Sequence, residues 1–451
     1  MKESDNSKHL VDTIERLKDL PDDGYDGRTL FNNSIDHFIG DNGKVSIDLL
    51  IPEVKKYLHP IKIDGVLHMY DRSRGIYVCR NLGGLISRDL TGEGNVRTAI
   101  TKEIIDTYAR DIMYDTPVSR EYVAFRNGLL NTDTGALEPR RYQQGRVIKV
   151  YYDFDFRDDL RYAEVHSLKE ISENDTEILE SMLSLIGAVL FGRNLDQRAY
   201  ILLGSGSNGK STFLNMLRRI LGDENYSSVP LDEIGDRFRT AELYGRRANL
   251  SGDLESTTIK HTSYFKCITG QDTVIAERKY LDPFSFIYDG IPVFAMNDYP
   301  YFEETGTQIA RRIAIIPFLH RFESREDNRE VFSRQDIEVI IINSYRAFVK
   351  HRGHVYIPEK VNDLTSEYRE AIDPIGAYVF WKGGADALED LSISDLFGEF
   401  VEFLYMMDYD EKYVRMFSKR KFSDQIRKET GFLVKPRRAG QEVYKVFCRG
   451  D

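Results

Sequence analysis

Gly204-Ser-Gly-Ser-Asn-Gly-Lys-Ser211 decides how the chain is read. It fits G-x-x-x-x-G-K-[ST], a loop that cradles phosphate. The glycines Gly204, Gly206 and Gly209 let the backbone bend tightly, so successive N–H groups point at one anion. Lys210 can then reach the β- and γ-phosphates of a nucleotide, and the Ser211 hydroxyl can hold Mg²⁺. Ser205, Ser207, Asn208 and Thr212 complete the candidate nucleotide-binding stretch. Before it, Ala199-Tyr-Ile-Leu-Leu203 is a short apolar run that predicts a buried strand. After it, Phe213, Met216, Leu217 and Ile220 share one face of a predicted helix, whose N-terminus faces the phosphates. The plain alternative is a glycine-rich turn with no ligand. In a chain this long the pattern arises by chance on the order of 2% of the time.

The chain of 451 residues is long enough for about three domains. Apolar residues make up 41% and aromatics 12%, an ordinary globular composition. No apolar run would span a bilayer and no signal peptide is seen, so no membrane partner is expected. Cys79, Cys267 and Cys448 lie far apart with no metal spacing, which predicts a reduced, cytoplasmic protein without structural zinc. The net charge of −11 argues at first against nucleic acid, but its distribution does not. From Lys412 onward twelve Lys and Arg stand against four Asp and Glu. Phe417, Phe422, Ile426, Phe432, Val434, Tyr444 and Val446 are interleaved among them, so this basic stretch is expected to fold rather than trail as a solvated tail.

Residues 1–27 are polar and expected to be mobile. Residues 28–157 predict an α+β domain with a docking or oligomerising role: a helix over Val45–Tyr57, a hairpin turning at 72–75, a helix over Val96–Met113, then two strands joined by a turn at Asp133–Gly135. A connector and a collar-like helix beginning near Asn174 occupy 158–198. Residues 199–330 alternate strand and helix, as a nucleotide-binding α/β core should. Residues 331–390 read as a helical lid or connector, helical from Glu330 to Tyr368, with a mixed apolar stretch over Ile375–Trp381. The last segment, 391–451, predicts helices over Ser392–Met407 and Ser418–Gly431 and then a basic hairpin turning at 437–440, the order of a winged helix.

Four features after the loop carry the candidate chemistry. Arg247-Ala-Asn-Leu-Ser-Gly-Asp253-Leu-Glu255 is strand-like and ends in two carboxylates. On a strand beside the loop strand, Asp253 would lie near Mg²⁺ and Glu255 could polarise the attacking water. The alternative is a surface loop with two ordinary acids. Ile291-Pro-Val-Phe-Ala-Met-Asn297 is an apolar strand ending in an amide that can bond both γ-phosphate and water, or simply make a turn. Arg311 and Arg312 precede Ile313-Ala-Ile-Ile-Pro-Phe318. They suit the charge on a transferring phosphoryl group, or an ordinary ion pair. Lys279, with Arg278 beside it, sits between two strand-like runs, where a cation can grip a phosphate or merely be solvated.

The order of these elements resembles the superfamily 3 helicases, a branch of the AAA+ ATPases. Within it the chain is similar to the helicase part of the phage, plasmid and poxvirus-type primase-helicases, a group that includes replication initiators of mobile islands. Gly235-Asp-Arg-Phe238, Thr269-Gly-Gln-Asp272, Glu277-Arg-Lys279-Tyr, Pro283-Phe-Ser-Phe286, Asn297-Asp-Tyr-Pro300 and Arg311-Arg312 carry the likeness. It extends over Ile178–Phe322 and touches Arg126–Gly135. It implies that Lys210, Ser211, Asp253 and Glu255 bind ATP and Mg²⁺ and that Asn297 is a sensor. It further implies that Arg311 or Arg312 acts on the neighbouring subunit's ATP and that the Lys279 hairpin holds single-stranded DNA. The acidic motif departs from the family in being Asp-Leu-Glu rather than two adjacent acids.

The expectation is therefore a hexameric, ATP-dependent DNA helicase in replication of a phage, plasmid or island, working with other replication proteins in a bacterial host cytosol. Lys419, Arg420, Lys421, Arg427 and Lys428 would lie in or near the major groove of duplex DNA. Lys435, Arg437 and Arg438 would meet phosphates. The alternative is an ATP-switched, origin-binding initiator or loader that does not unwind. A DNA-binding regulator with a degenerate ATPase core and an RNA-directed motor are more distant readings.

Overall fold

The computed structural model describes residues 46–91, 98–160, 163–254, 258–259, 261–279, 283–297, 300–302, 307–322, 331–361, 373–407, 409, 411–439 and 442–449. The expected N-terminal segment 1–27 and Glu255 lie outside these residues. Two compact units divide the chain. The first holds the described residues up to Ala163 with Arg219–Gly222 and Ser333–Ile342, and the second holds the rest. No described helix is long and apolar enough to cross a membrane.

In the first unit, α1 (Ile47–Leu58) ends at His59, which takes a left-handed conformation and donates its N–H to the Lys55 carbonyl. Strands β1 (Ile61–Ile63), β2 (Val66–Asp71) and β3 (Ile76–Val78) form an antiparallel sheet with the expected turn at 72–75. Helices α2 (Leu82–Thr91) and α3 (Thr98–Asp111) follow. Beyond them, β4 (Tyr122–Phe125), β5 (Gly128–Asn131), β6 (Leu137–Glu138) and β7 (Tyr151–Tyr152) make a second sheet. Leu50, Val54, Leu58, Met69, Ile86, Ile104, Ala124 and Leu129 share one core. The sequence predicted one turn between two strands here. The structure has two, because Phe125 pairs with Gly128 across a two-residue turn before the one at Asp133–Gly135.

In the second unit, α4 (His166–Ile171) precedes α5 (Thr176–Phe191). The cap of α5 is Asp175, one residue beyond the expected Asn174, and its carboxylate accepts from the amides of Glu177 and Ile178. Next come β8 (Ala199–Leu203), α6 (Lys210–Leu221), β9 (Tyr226–Ser227) and β10 (Ala248–Leu254). They are followed by β11 (Thr258–Ile259), α7 (Thr262–Gly270), β12 (Thr273–Ala276), β13 (Phe284–Ile287) and β14 (Ile291–Met296). The run closes with β15 (Tyr301–Phe302), α8 (Thr307–Ala310) and β16 (Ile313–Pro317).

Five of these strands form one parallel sheet in the order β16-β8-β14-β10-β9. The chain is thus mixed α/β with a parallel sheet. Every residue of β14 and β16 is buried, which explains their unbroken apolar sequence. Sequence reasoning set the Asp253 strand beside the loop strand. The structure inserts β14 between them.

Of the helix expected from Glu330 to Tyr368, the described residues show α9 (Arg334–Lys350) and a break after it, while Glu330 and 362–368 lie outside the described residues. Arg352 and Gly353 turn left-handed just past its end, and the Gly353 N–H returns to the Phe348 carbonyl. The mixed apolar stretch over Ile375–Trp381 is helix α10 (Pro374–Trp381), capped by Asp373. Helices α11 (Ile393–Met406), α12 (Glu411–Val414) and α13 (Lys419–Thr430) follow. The antiparallel pair β17 (Leu433–Ala439) and β18 (Glu442–Cys448) comes last. Ser418 caps α13 by accepting from the Lys421 amide, and Gly431 ends it with φ 74°. Ile375, Tyr378, Leu388, Phe400, Phe403, Phe422, Ile426 and Phe447 form a single core. Single bridges also join Glu389 to Phe447 and Ser392 to Val446. The module therefore starts near Asp373, not at residue 391. Strand β17 also runs straight through Arg437 and Arg438, where a turn was expected.

Candidate nucleotide site and basic hairpin

The carboxyl ends of β8, β14, β10 and β16 gather at one edge of the sheet. Met296 pairs with both Leu203 and Leu254, and Pro317 pairs with Leu203. This is the edge at which open parallel sheets take ligands. The loop Gly204–Gly209 leaves β8 there and enters α6, whose first turn carries Lys210, Ser211 and Thr212.

Backbone geometry explains the residue types in the loop. Gly206 has φ +103° and Gly209 φ +88°, while Ser207 adopts φ 49°. Gly204 is required by crowding instead, since a Cβ there would lie 1.8 Å from the Asn208 amide nitrogen and 2.3 Å from the Phe318 carbonyl. Asn208 uses that closeness, donating to the Phe318 carbonyl at 2.9 Å. The Phe322 amide donates to the Ser207 carbonyl at 2.8 Å, so the segment after β16 is laced to the loop.

Lys210 is 5% exposed, and three oxygens aim its ammonium. It donates to the Gly204 carbonyl at 2.5 Å, to Asn208 Oδ1 at 2.9 Å and to Asn297 Oδ1 at 3.1 Å. Sequence reasoning chose Lys210 and Asn297 separately, and the fold brings them together. A buried cation at the N-terminus of a twelve-residue helix can hold a polyphosphate. These residues fit the phosphates of a nucleotide.

Asp253 lies near the carboxyl end of β10. There the register slips: Ser251 pairs with Phe294, but Leu254 pairs with Met296, so one strand spends three steps where the other spends two. Such a bulge re-aims side chains and recurs beside active sites. The Asp253 side chain is outside the described residues, as is Glu255. Two strand spacings separate β10 from β8, roughly 10 Å.

Arg311 and Arg312 are not at this edge. They precede Ile313, which pairs with Ala199 at the opposite end of β8, roughly 16 Å of strand from the loop. Arg311 is exposed. Arg312 is partly buried and donates to the Gln308 carbonyl at 2.8 Å. Burial, and then the neighbouring Arg311, lower its pKa, while Asp272 opposes them.

Arg278 and Lys279 follow β12 in the connection to β13, whose strands pair from Thr273↔Ile287 to Ala276↔Phe284. The Arg278 guanidinium lies 4.7 Å from the Phe284 ring and 5.4 Å from the Tyr244 ring. The Lys279 ammonium lies 5.9 Å from Phe238, which is 39% exposed. Arg237 clasps Glu277 at 2.6 and 2.8 Å and covers the same Phe238 ring. In the sequence Phe238 only closes the Gly235–Phe238 motif and carries no role of its own. Its nearness to Lys279, forty-one positions away in the chain, is a fact of tertiary structure.

In the last module the basic residues differ in how engaged they are. Lys419 donates to Ser394 Oγ at 2.9 Å, and Lys421 lies over Phe417. Arg420, Arg427 and Lys428 are exposed on α13 around Asp424, which takes Arg427 at 3.5 Å. Lys435 and Arg438 are exposed on β17, while Arg437 is tied to Asp390.

A family model described as a family of unknown function, DUF5906, matches residues 202–312, the span from the loop strand to Arg312. A protein of Acanthamoeba polyphaga mimivirus named as a candidate helicase is 23% identical over 311 residues, covering 61% of this chain. This chain spans about a third of that relative's length, 32%. Among solved structures, two apo forms of the NrS-1 C-terminal region match at 11% identity. One has a TM-score of 0.43 over 87% of this chain and 94% of that one. The other, residues 305–718, scores 0.45 over 89% and 98%.

Proposed function

We propose that the chain is an ATP-dependent, ring-forming DNA helicase of the superfamily 3 type, an AAA+ core followed by a winged-helix module, acting in replication within its host's cytosol. The meeting of Lys210 with Asn297 at the carboxyl edge of the sheet carries this reading. Lys210 and the loop amides would hold the β- and γ-phosphates of ATP. Ser211 and Asp253 would hold Mg²⁺, which when bound neutralises charge on the transferring phosphoryl group. Asn297 would orient the attacking water, with Asp253 or Glu255 accepting its proton.

Arg311 and Arg312 sit at the far end of β8 from the loop, so on this reading either would serve the phosphates of a neighbouring subunit rather than its own. Exposed Arg311 suits that task and half-buried Arg312 suits holding its base. Lys279 with Phe238 would grip a single strand by phosphate contact and base stacking. Helix, bridged segment, two long helices with the short α12 between them, and hairpin is the order of a winged helix. It would offer Arg420, Arg427 and Lys428 to the groove and Lys435 and Arg438 to phosphates. The viral relative named as a helicase supports a nucleic-acid motor.

The test is unwinding of a forked DNA by wild type and by Lys210→Ala, with mass measured in the same buffer. ATP-dependent unwinding by a hexamer-sized species, lost in the variant, establishes the motor. Hydrolysis without unwinding turns the reading to an ATP-switched initiator, and absence of ATP hydrolysis sinks both.

A further inference from the structure

We propose that the first unit carries its own binding site for single-stranded nucleic acid, centred on the turn Arg72-Ser-Arg-Gly75 between β2 and β3. The Arg72 Nε donates to the Tyr57 carbonyl at 3.3 Å, and its guanidinium lies 5.3 Å from the Tyr57 ring. The Lys56 ammonium lies 5.1 Å from the same ring. Arg140 Nη1 donates to the Ser73 carbonyl at 2.9 Å. Arg72 is the first residue of the turn and Arg140 is bonded to the next, so the two share one neighbourhood.

The local carboxylate is turned inward. Asp71 is 2% exposed and is taken up by Ser73, by Arg74 at 2.9 Å and by Arg88 at 3.0 Å. Lys56, Arg72 and Arg140 have no carboxylate partner among the described residues. Cations gathered without counter-charge repel one another, and an anion relieves this. Because main-chain carbonyls fix two guanidiniums, the rest of each planar fork is already oriented for phosphate.

The turn also has a flat apolar neighbour. His59 stacks on Tyr142 with ring centroids 3.6 Å apart and planes 6° from parallel, and both residues are half-exposed. Burial, and then Arg72, lower the His59 pKa to about 4, so this pair is an uncharged ring face at neutral pH. Cations beside a ring face match the alternating phosphates and bases of a single strand.

The experiment uses the full chain carrying Lys279→Ala, so that the hairpin lysine is silent. Binding of fluorescent oligo-dT and oligo-U is followed by anisotropy over a salt series. Arg72→Gln with Arg140→Gln should make the slope of log K against log salt shallower by about 1.4, two phosphates at ~0.7 each. Gln143→Lys, at an exposed position next to Tyr142, should tighten binding, and Gln143→Glu should weaken it, with melting unchanged in both. Binding of either strand, or of both, with these shifts supports the site and names the strand. An unchanged slope with no response at Gln143 overturns it, as does displacement of the strand by polyglutamate at equal charge concentration.

Discussion

The Lys210 ammonium donates to Asn297 Oδ1 at 3.1 Å, joining residues 87 positions apart. Asn297 directly follows β14 and Lys210 opens the helix after the loop that leaves β8, so the contact reports the register of β8 on β14 as much as any chemistry. Asn297→Ala should leave ATP affinity within a few-fold and cut hydrolysis by roughly a hundredfold, the usual cost of one oriented donor. Lys210→Ala should lose binding as well. Titration calorimetry with a phosphate-release assay separates the two, and full hydrolysis by Asn297→Ala would remove it from the site.

Two loop glycines should fail for different reasons. At Gly204 a methyl group meets Asn208 and Phe318, and Gly204→Ala is expected to cost about 1–3 kcal/mol by overpacking. At Gly206 nothing lies within 4 Å, but φ is +103°, and Gly206→Ala should cost on the order of 1–2 kcal/mol through backbone strain. Urea melts give both numbers. A Gly204→Ala protein as stable as wild type would contradict the crowding.

Arg311→Ala should keep the fold and lose ATP hydrolysis, whereas Arg312→Ala should lower the melting temperature. If Arg311 serves a neighbour, mixing Arg311→Ala with Lys210→Ala restores hydrolysis, because some interfaces then pair an intact loop with an intact arginine. A mixture as inactive as its parts would argue that Arg311 does not act across the interface.

His68 should make the first unit acid-sensitive. It is wholly buried, its Nε2 has no partner, and its pKa is lowered to about 4, first by burial and then by Lys149, against Asp64. The unfolded chain binds the proton near pH 6.5 and the folded chain near 4. Stability is therefore full above about pH 6.5 and falls as pH drops toward 4, by on the order of 3 kcal/mol. Unfolding of wild type and His68→Gln between pH 4 and 7.5 checks this, and equal slopes would contradict it.

Removing the last module cleanly requires a cut before Asp373. A cut before Lys412 takes Phe422, Ile426 and Phe447 from the core that holds Tyr378 and Phe400. The longer truncation should lose duplex binding, keep basal ATP hydrolysis and stay monodisperse by light scattering. The shorter should aggregate.

Local patterns were legible and long-range order was not. The strand, loop and helix at Ala199–Leu221 could be read because glycine spacing and helical periodicity are local signals. So could the caps Ser418 and Gly431. The place of β14 between β8 and β10 could not be read, since parallel strand order is set by crossovers that leave no local mark. Helix α2 was missed because Gly83 and Gly84 look like a loop, and α10 because Pro374–Trp381 is apolar on every side. Phe238 has no signal of its own, since an exposed phenylalanine gains meaning only from the lysine the fold sets beside it.

Strand β16 has Arg311 and Arg312 just before it and Phe318, whose carbonyl holds Asn208, just after. It is five buried residues long and bonded along its length to β8. Such a strand resists stretching. If Arg311 meets a neighbouring subunit as proposed, a tug on the arginine end would reach the loop along the backbone, and a change in loop shape would travel back the same way.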